Sequence, residues 1–359
     1  MRRSDVIARL KAAEPDIRAR GVGGLYLFGS VARDAADARS DVDLFVDPDP
    51  ASRFGFDEFM GVYELLQERL DAKVDFRIAN SIWSRSGFPF EQSFLDAGTS
   101  YFDAEVRSLD FDDPASLATI NGWVSRATAE KIPTILDAIS SDDVMFLINA
   151  IYFKGSWQYS FRRADTKVAP FTALSGTVRP VPLMHQTATL RYLRDPRFQA
   201  VDLLYGNGAF AMTVILPTPA QDVNALVGSL TEAEWVRLLD GFQEVEVDLT
   251  LPKFKLEYQR TMNDDLATLG MGIAFRPDAA DFTRMSRGGG LSIAFVKQKT
   301  YVDVYEEGTE AAAVTVTAIR QVSLPSGPVT MRVDRPFIFA IRERFSNTIL
   351  FVGKIARLE

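Results

Sequence analysis

The stretch EEGTEAAAVTVTAIRQVS, residues 306–323, carries two structural readings at once. It continues an alternating run, KTYVDVYEE at 299–307, that reads as a β-strand. Beyond it the chain turns to small residues. In an extended chain Thr309, Ala311, Ala313, Thr315 and Thr317 share one face, and Glu310, Ala312, Val314 and Val316 share the other. No proline follows until Pro325, so nothing before it forbids backbone pairing. The segment can stay outside as a loop or enter a sheet as an added strand. From Thr309 to Val322 it would reach about 46 Å when extended. On composition alone the plainer reading is an Ala/Thr-rich edge strand followed by a loop.

The 359 residues are 47% hydrophobic and 25% charged, an ordinary globular balance with room for two or three domain-sized units. The formal charge of -8 argues against general nucleic-acid binding and against attraction to anionic membranes. Cysteine is absent, which excludes disulfides and thiolate zinc sites. The first residues, MRRSDVIARLKAAEPDIRARG, are charged throughout and do not read as a secretory signal, and no stretch is apolar enough to span a membrane. The cytoplasm is the default expectation, with a secreted ancestor for the larger part as the alternative. The single histidine, His185, is expected to be structural or exposed rather than one member of a Ser-His-Asp triad.

Outward from that stretch, the N-terminal part reads LYLFGSVARDAADARSDVDLFVD at 25–47. An apolar strand ends in a Gly29-Ser30 turn, and a short helix can follow with its free amides toward an anion. Asp41 and Asp43 stand two apart at the start of the next strand, so their carboxylates share a side. Two adjacent carboxylates favour a hard cation between them, and magnesium suits such oxygen ligands. After a predicted helix over 56–70, with Phe59, Val62, Tyr63 and Leu66 as its stripe, comes a third acid, Asp75, in AKVDFR. DARSDVD alone could be a solvated acidic turn, but the third aspartate, Asp75, favours the cation reading.

The turn, the DVD pair and the later acidic strand resemble the minimal nucleotidyltransferases of the polymerase-beta superfamily, of the antitoxin type found in bacteria. The resemblance covers roughly residues 5–76. It implies magnesium on Asp41, Asp43 and Asp75, and ATP or another nucleoside triphosphate with its phosphates near Gly29 and Ser30, where Arg33 can touch them. A toxin partner is implied for this segment.

After Asp75 no linker intervenes, and strands and short helices alternate to the end as a strand-rich α+β chain with mixed sheets. Six ordered motifs stand out: NAIYFKGSW (149–157), LPKFKLE (251–257), ADFTRMS (280–286), EEGTEAAA (306–313), DRPFIFAIR (334–342) and ILFVGKI (349–355). Together they resemble the serpins over residues 76–359. The expected organisation is a nucleotidyltransferase-like α/β segment over 1–75 joined to a truncated serpin fold over 76–359. An exposed reactive loop is expected at about 306–328.

The serpin resemblance implies a suicide inhibitor of serine proteases. A protease cuts the loop, forms an acyl-enzyme, and is dragged along as the loop enters the main sheet. The hinge would be Glu306, Glu307, Gly308, Thr309, Glu310, Ala311, Ala312 and Ala313. Counting along the family's loop puts the reactive bond between Val322 and Ser323, which favours an elastase-like protease. Arg320 and Leu324 keep trypsin-like and chymotrypsin-like partners open. Trp157 and Gln298 stand at sheet-opening control positions, although core packing explains both. The family's first helices and strand have no counterpart before Phe76. Their loss is expected to bare apolar sheet surface, and an inert hybrid is the third alternative beside inhibitor and nucleotidyltransferase.

Overall fold

The computed structural model describes residues 3–33, 42–52, 54–70, 74–206, 208–309 and 327–358. Asp41, the hinge residues Glu310, Ala311, Ala312 and Ala313, and the Val322–Ser323 bond lie outside the described residues. The fold is mixed α+β, and its described part divides into two compact units. The first comprises Met1–Asp75, Lys154–Phe254 and Asp303–Glu359, and the second Phe76–Phe153 and Lys255–Val302.

In chain order the N-terminal segment gives α1 (Arg3–Ala19), β1 (Val22–Phe28), α2 (Gly29–Ala32), β2 (Asp43–Pro48) and α3 (Phe56–Leu70). β1 and β2 pair antiparallel as a two-stranded sheet. Alternation turns Leu25, Leu27, Leu44 and Val46 inward, where they pack on Val6, Ala13 and Ile17 of α1 and Val62, Leu65 and Leu66 of α3. The opposite face leaves Tyr26, Phe28 and Phe45 exposed. The helix expected over 56–70 forms with those bounds. It presents a second apolar side as well. Tyr63 meets Phe210 edge-on at 4.9 Å, and Phe59 meets Phe345 at 5.9 Å.

The remaining elements are β3 (Val74–Arg85), α4 (Gln92–Phe102), β4 (Glu105–Leu109), α5 (Pro114–Ala127), β5 (Met145–Ser156), β6 (Lys167–Thr172), β7 (Val178–Arg194), β8 (Phe198–Tyr205), β9 (Phe210–Pro217), α6 (Val223–Ser229), α7 (Glu232–Asp240), β10 (Gln243–Pro252), β11 (Phe254–Thr261), α8 (Asn263–Leu266), β12 (Lys297–Tyr305), β13 (Gly308–Thr309), β14 (Val329–Arg332), β15 (Phe337–Glu343) and β16 (Ile349–Ile355). The short helix α8 ends at Leu266. An irregular turn follows, in which Gly270 takes φ 103°, a conformation that suits glycine alone among common residues.

In the first unit one large sheet runs β14-β10-β7-β8-β9-β15-β16, with β6 beside β7. β14 lies parallel to β10 and the other pairs are antiparallel. β9 is buried along its whole length, as its unbroken apolar run FAMTVILP requires. Asp202 and Arg342 are both buried within this sheet. They pair at 2.6 Å, and Thr213 donates to the other carboxylate oxygen at 2.6 Å. In the second unit α5 starts on Asp113, whose side chain accepts from the Ala115 amide, with Pro114 at the first helical position. Ile120, Trp123 and Val124 then pack on Trp83, Phe111 and Phe146.

Candidate functional site

The second sheet has the order β11-β12-β13-β5-β3-β4. Its third strand is the beginning of the 306–323 stretch. The strand expected to run to Glu307 stops at Tyr305. Glu306 and Glu307 form a turn, and the chain doubles back so that Gly308 faces Tyr305 and Thr309 faces Val304. On the other side Gly308 pairs with Ser156 and Thr309 with Gly155 of β5. A hairpin of two acidic residues therefore seats the first hinge residues between the ends of β12 and β5.

The close fit explains the composition of the corner. A Cβ on Gly308, at φ 153°, would lie 2.0 Å from the Gly155 carbonyl oxygen and 2.7 Å from the Ser156 Cα. Thr309 is buried, and its hydroxyl lies 2.6 Å from the Tyr205 hydroxyl. Tyr205 is wholly enclosed, and burial pushes its phenol far above the usual range. Its ring stacks on Trp157 at 4.4 Å, and Trp157 meets Phe161 edge-on.

Trp157 also anchors the turn directly. Its indole N–H donates to the Tyr305 carbonyl at 2.9 Å, and its backbone N–H donates to the Glu307 carbonyl at 2.9 Å. The Phe161 N–H donates to the Glu306 carbonyl at 2.9 Å. The Glu306 carboxylate is buried between Lys253 Nζ at 2.9 Å and Thr166 Oγ1 at 2.8 Å. Burial opposes its ionisation, yet the bonds from Lys253 and Thr166 outweigh that cost and hold it below the usual glutamate range. Arg163 Nε reaches Glu307 Oε1 at 2.5 Å. The other Glu307 oxygen is buried without a hydrogen-bond partner among the described residues.

Of the residues expected to matter here, the structure gathers Glu306, Glu307, Gly308, Thr309 and Trp157 in one corner. Gln298 is exposed on β12, so core packing does not explain it. Tyr205, Lys253, Thr166 and Arg163 were not singled out from sequence. Lys253 was visible only as part of LPKFKLE, and Tyr205 as one apolar residue among many, because neither is near the hinge along the chain. His185 pairs with Asp248 across β7 and β10 at 2.7 Å.

In the N-terminal segment Gly29 opens α2 with φ 72°, and Arg33 follows that helix, exposed. Asp43 begins β2 directly opposite Phe28, the residue before the Gly29-Ser30 turn. That register sets one expected acid beside the turn. Asp75 is half-buried near the start of β3, in the other sheet. The side chains of Ser30 and Asp43 are outside the described residues.

The family model for serpin (serine protease inhibitor) matches residues 52–358, and that for polymerase beta, nucleotidyltransferase, matches 17–86. Human Serpin B11 is 35% identical over 295 residues, covering 80% of this chain and 75% of that protein. The crystal structure of the thermophilic serpin tengpin in its native state superposes with a TM-score of 0.73 at 32% identity, covering 85% of this chain and 80% of that one. Tengpin in its latent state gives 0.69 at 28% identity, covering 99% and 90%. With the hinge hairpin, the ordered motifs and a match over most of its length, the chain belongs to the serpin family.

Proposed function

We propose that this chain inhibits serine proteases by cleavage of the loop after Thr309 and insertion of that loop between β5 and β12. The protease serine would attack the Val322 carbonyl. The bond to Ser323 would break, Ser323 would leave as a new amine, and Val322 would remain as the acyl-enzyme. Strand addition then competes with hydrolysis of that ester. About a dozen new backbone bonds at about 1 kcal/mol each give a drive on the order of 10 kcal/mol.

The observation that carries this reading is the seat of Gly308 and Thr309 between two strands. Insertion would extend a strand that has already begun. Thr309 points inward onto Tyr205, so period-two alternation would send Ala311 and Ala313 the same way. Small side chains there would pass with little overpacking. Glu306, Glu307 and Trp157 would hold the pivot, and Gln298 would bear on opening from β12.

Incubation with elastase-like, trypsin-like and chymotrypsin-like proteases, followed by a denaturing gel, tests the reading. A covalent complex is expected first with the elastase-like enzyme. Cleavage without any complex would show that the trap is missing.

A second reading rests on the Gly29 turn and its register beside Asp43. In it Asp41, Asp43 and Asp75 would hold magnesium, which supplies Lewis-acid activation of an attacking hydroxyl. Gly29, Ser30 and Arg33 would receive the triphosphate. Labelled ATP should then be transferred to a protein or RNA acceptor, and equal labelling by Asp43→Ala would rule it out. The asymmetry between the two readings is physical. The residues around Glu306–Thr309 are mutually bonded, whereas Asp43 and Asp75 stand on strands of different sheets.

A further inference from the structure

Two aromatic rings of α3 bear on one corner of the large sheet, the turn from β8 to β9. Tyr63 meets Phe210, the first residue of β9, edge-on at 4.9 Å. Phe59 meets Phe345 at 5.9 Å. Arg344, the residue before Phe345, grips the same turn. Its guanidinium donates to the Gly208 carbonyl at 2.6 Å, and its backbone N–H donates to the Ala209 carbonyl at 2.8 Å. Phe210 pairs directly with Tyr205 across the two strands, and both are fully buried. From Tyr205 one step reaches the hinge, because its hydroxyl lies 2.6 Å from that of Thr309. The Gly206 N–H donates to the Ser156 carbonyl at 2.9 Å, and Ser156 pairs with Gly308. One corner therefore meets Thr309 through a side chain and Gly308 through β5. The other side of α3 belongs to the N-terminal core, through Val62, Leu65 and Leu66.

We infer that the N-terminal segment governs the hinge. α3 braces the β8–β9 corner, and Tyr63 and Phe59 are positioning residues for the seat of Gly308 and Thr309. Close-packed interiors pass a displacement on because they hold few voids to absorb it. A ring lost beside Phe210 lets the end of β9 shift, and its directly paired neighbour Tyr205 shifts with it. The bond between the Tyr205 and Thr309 hydroxyls tolerates little displacement. Tyr205 is wholly enclosed and Thr309 is buried, so breaking that bond leaves polar atoms without water to replace it. An unbraced corner therefore releases the seat. The first pair of the new strand must then re-form before insertion can extend it. That last consequence rests on the inhibitor reading, and the brace itself does not. While the seat re-forms, hydrolysis of the acyl-enzyme gains on insertion, so more chain is cleaved and less is trapped.

Amide hydrogen exchange at Gly308 and Thr309 in the full chain tests the brace without a protease. Tyr63→Ala should speed it about tenfold. Tyr63→Phe keeps the ring and should leave it near the native rate. Leu226→Ala lies in the separate cluster of α6 and α7. It lowers stability without touching the corner and should not alter exchange at the hinge. Tyr205→Phe already lacks the bond to Thr309, so adding Tyr63→Ala to it should change the rate less than about twofold. With an elastase-like protease, Tyr63→Ala should raise the ratio of cleaved chain to covalent complex about threefold or more. Unchanged exchange in Tyr63→Ala, an equal rise in Leu226→Ala or Tyr63→Phe, or the same factor in the Tyr205→Phe chain would each overturn the brace. If the unsubstituted chain forms no covalent complex while the exchange effects stand, the inhibitor reading falls and the brace remains. Should Tyr63→Ala fail to fold, Tyr63→Leu keeps apolar bulk without the ring edge, and a rise of about threefold decides the matter.

Discussion

Glu306 is a buried carboxylate whose ionised form is favoured by Lys253 and Thr166. Its folded-state pKa is depressed. The stability it contributes is therefore present above the ordinary glutamate value of about 4.3 and is lost as pH falls through the lower, folded value. Thermal melting from pH 6 down to pH 3 should show this loss, and Glu306→Gln should flatten it. Lys253→Ala should cost about 2 kcal/mol at neutral pH in urea unfolding, because it leaves Glu306 buried with one partner fewer. The effect stays moderate because Lys253 is itself partly in water. Gly308 is a steric requirement. Adding a methyl 2.0 Å from the Gly155 oxygen must displace one strand, so Gly308→Ala should cost about 2 kcal/mol or more. It should also raise amide hydrogen exchange at Thr309. Glycine in EEGTEAAA was legible from sequence only as one of the small hinge residues that the resemblance implies. Its contact with Gly155, 153 positions earlier in the chain, was not, since only folding brings the two together.

At the scale of elements, α3 was the easiest to read. Its bounds form as expected, but the expected stripe divides: Val62 and Leu66, with Leu65, pack on α1, while Phe59 and Tyr63 turn to another side. The second face, carrying Phe59 and Tyr63, had no decided partner in the sequence. Packing supplied Phe210 of the large sheet and Phe345 of the turn between β15 and β16. The expected baring of apolar sheet surface is thus partly averted, because a helix of the N-terminal segment lies on it. Tyr63→Ala should lower stability by about 2 kcal/mol in urea unfolding, through lost ring contact and lost burial. Little change would mean that the helix merely rests there. The hinge strand was legible only as a pair of alternatives. Alternation with small side chains is compatible with loop and strand alike, and the two flanking strands decide between them at Gly308 and Thr309. The end of β12 at Tyr305 was misread by two residues. Alternation cannot signal a turn when two glutamates fit either state.

For the molecule as a whole, insertion would convert a loop into a central strand. A gain on the order of 10 kcal/mol, set against the unfolding entropy of a 359-residue chain, corresponds to a melting-temperature rise of about 13 °C after loop cleavage. Differential scanning calorimetry before and after a limited nick measures it, and an unchanged melting temperature would mean that no strand is added. The amino-acid sequence by itself determined the family, most of the strands and helices, and the small-residue composition of the 306–323 stretch, because period and ordered motifs are local properties of the chain. Only the tertiary structure decided that Gly308 and Thr309 pair between β12 and β5, that Lys253 meets Glu306 and that Tyr205 meets Thr309. Those depend on contacts between residues far apart in the chain, 53 positions for Lys253 and Glu306 and 104 for Tyr205 and Thr309, and no local pattern encodes which distant backbone will leave a space one strand wide.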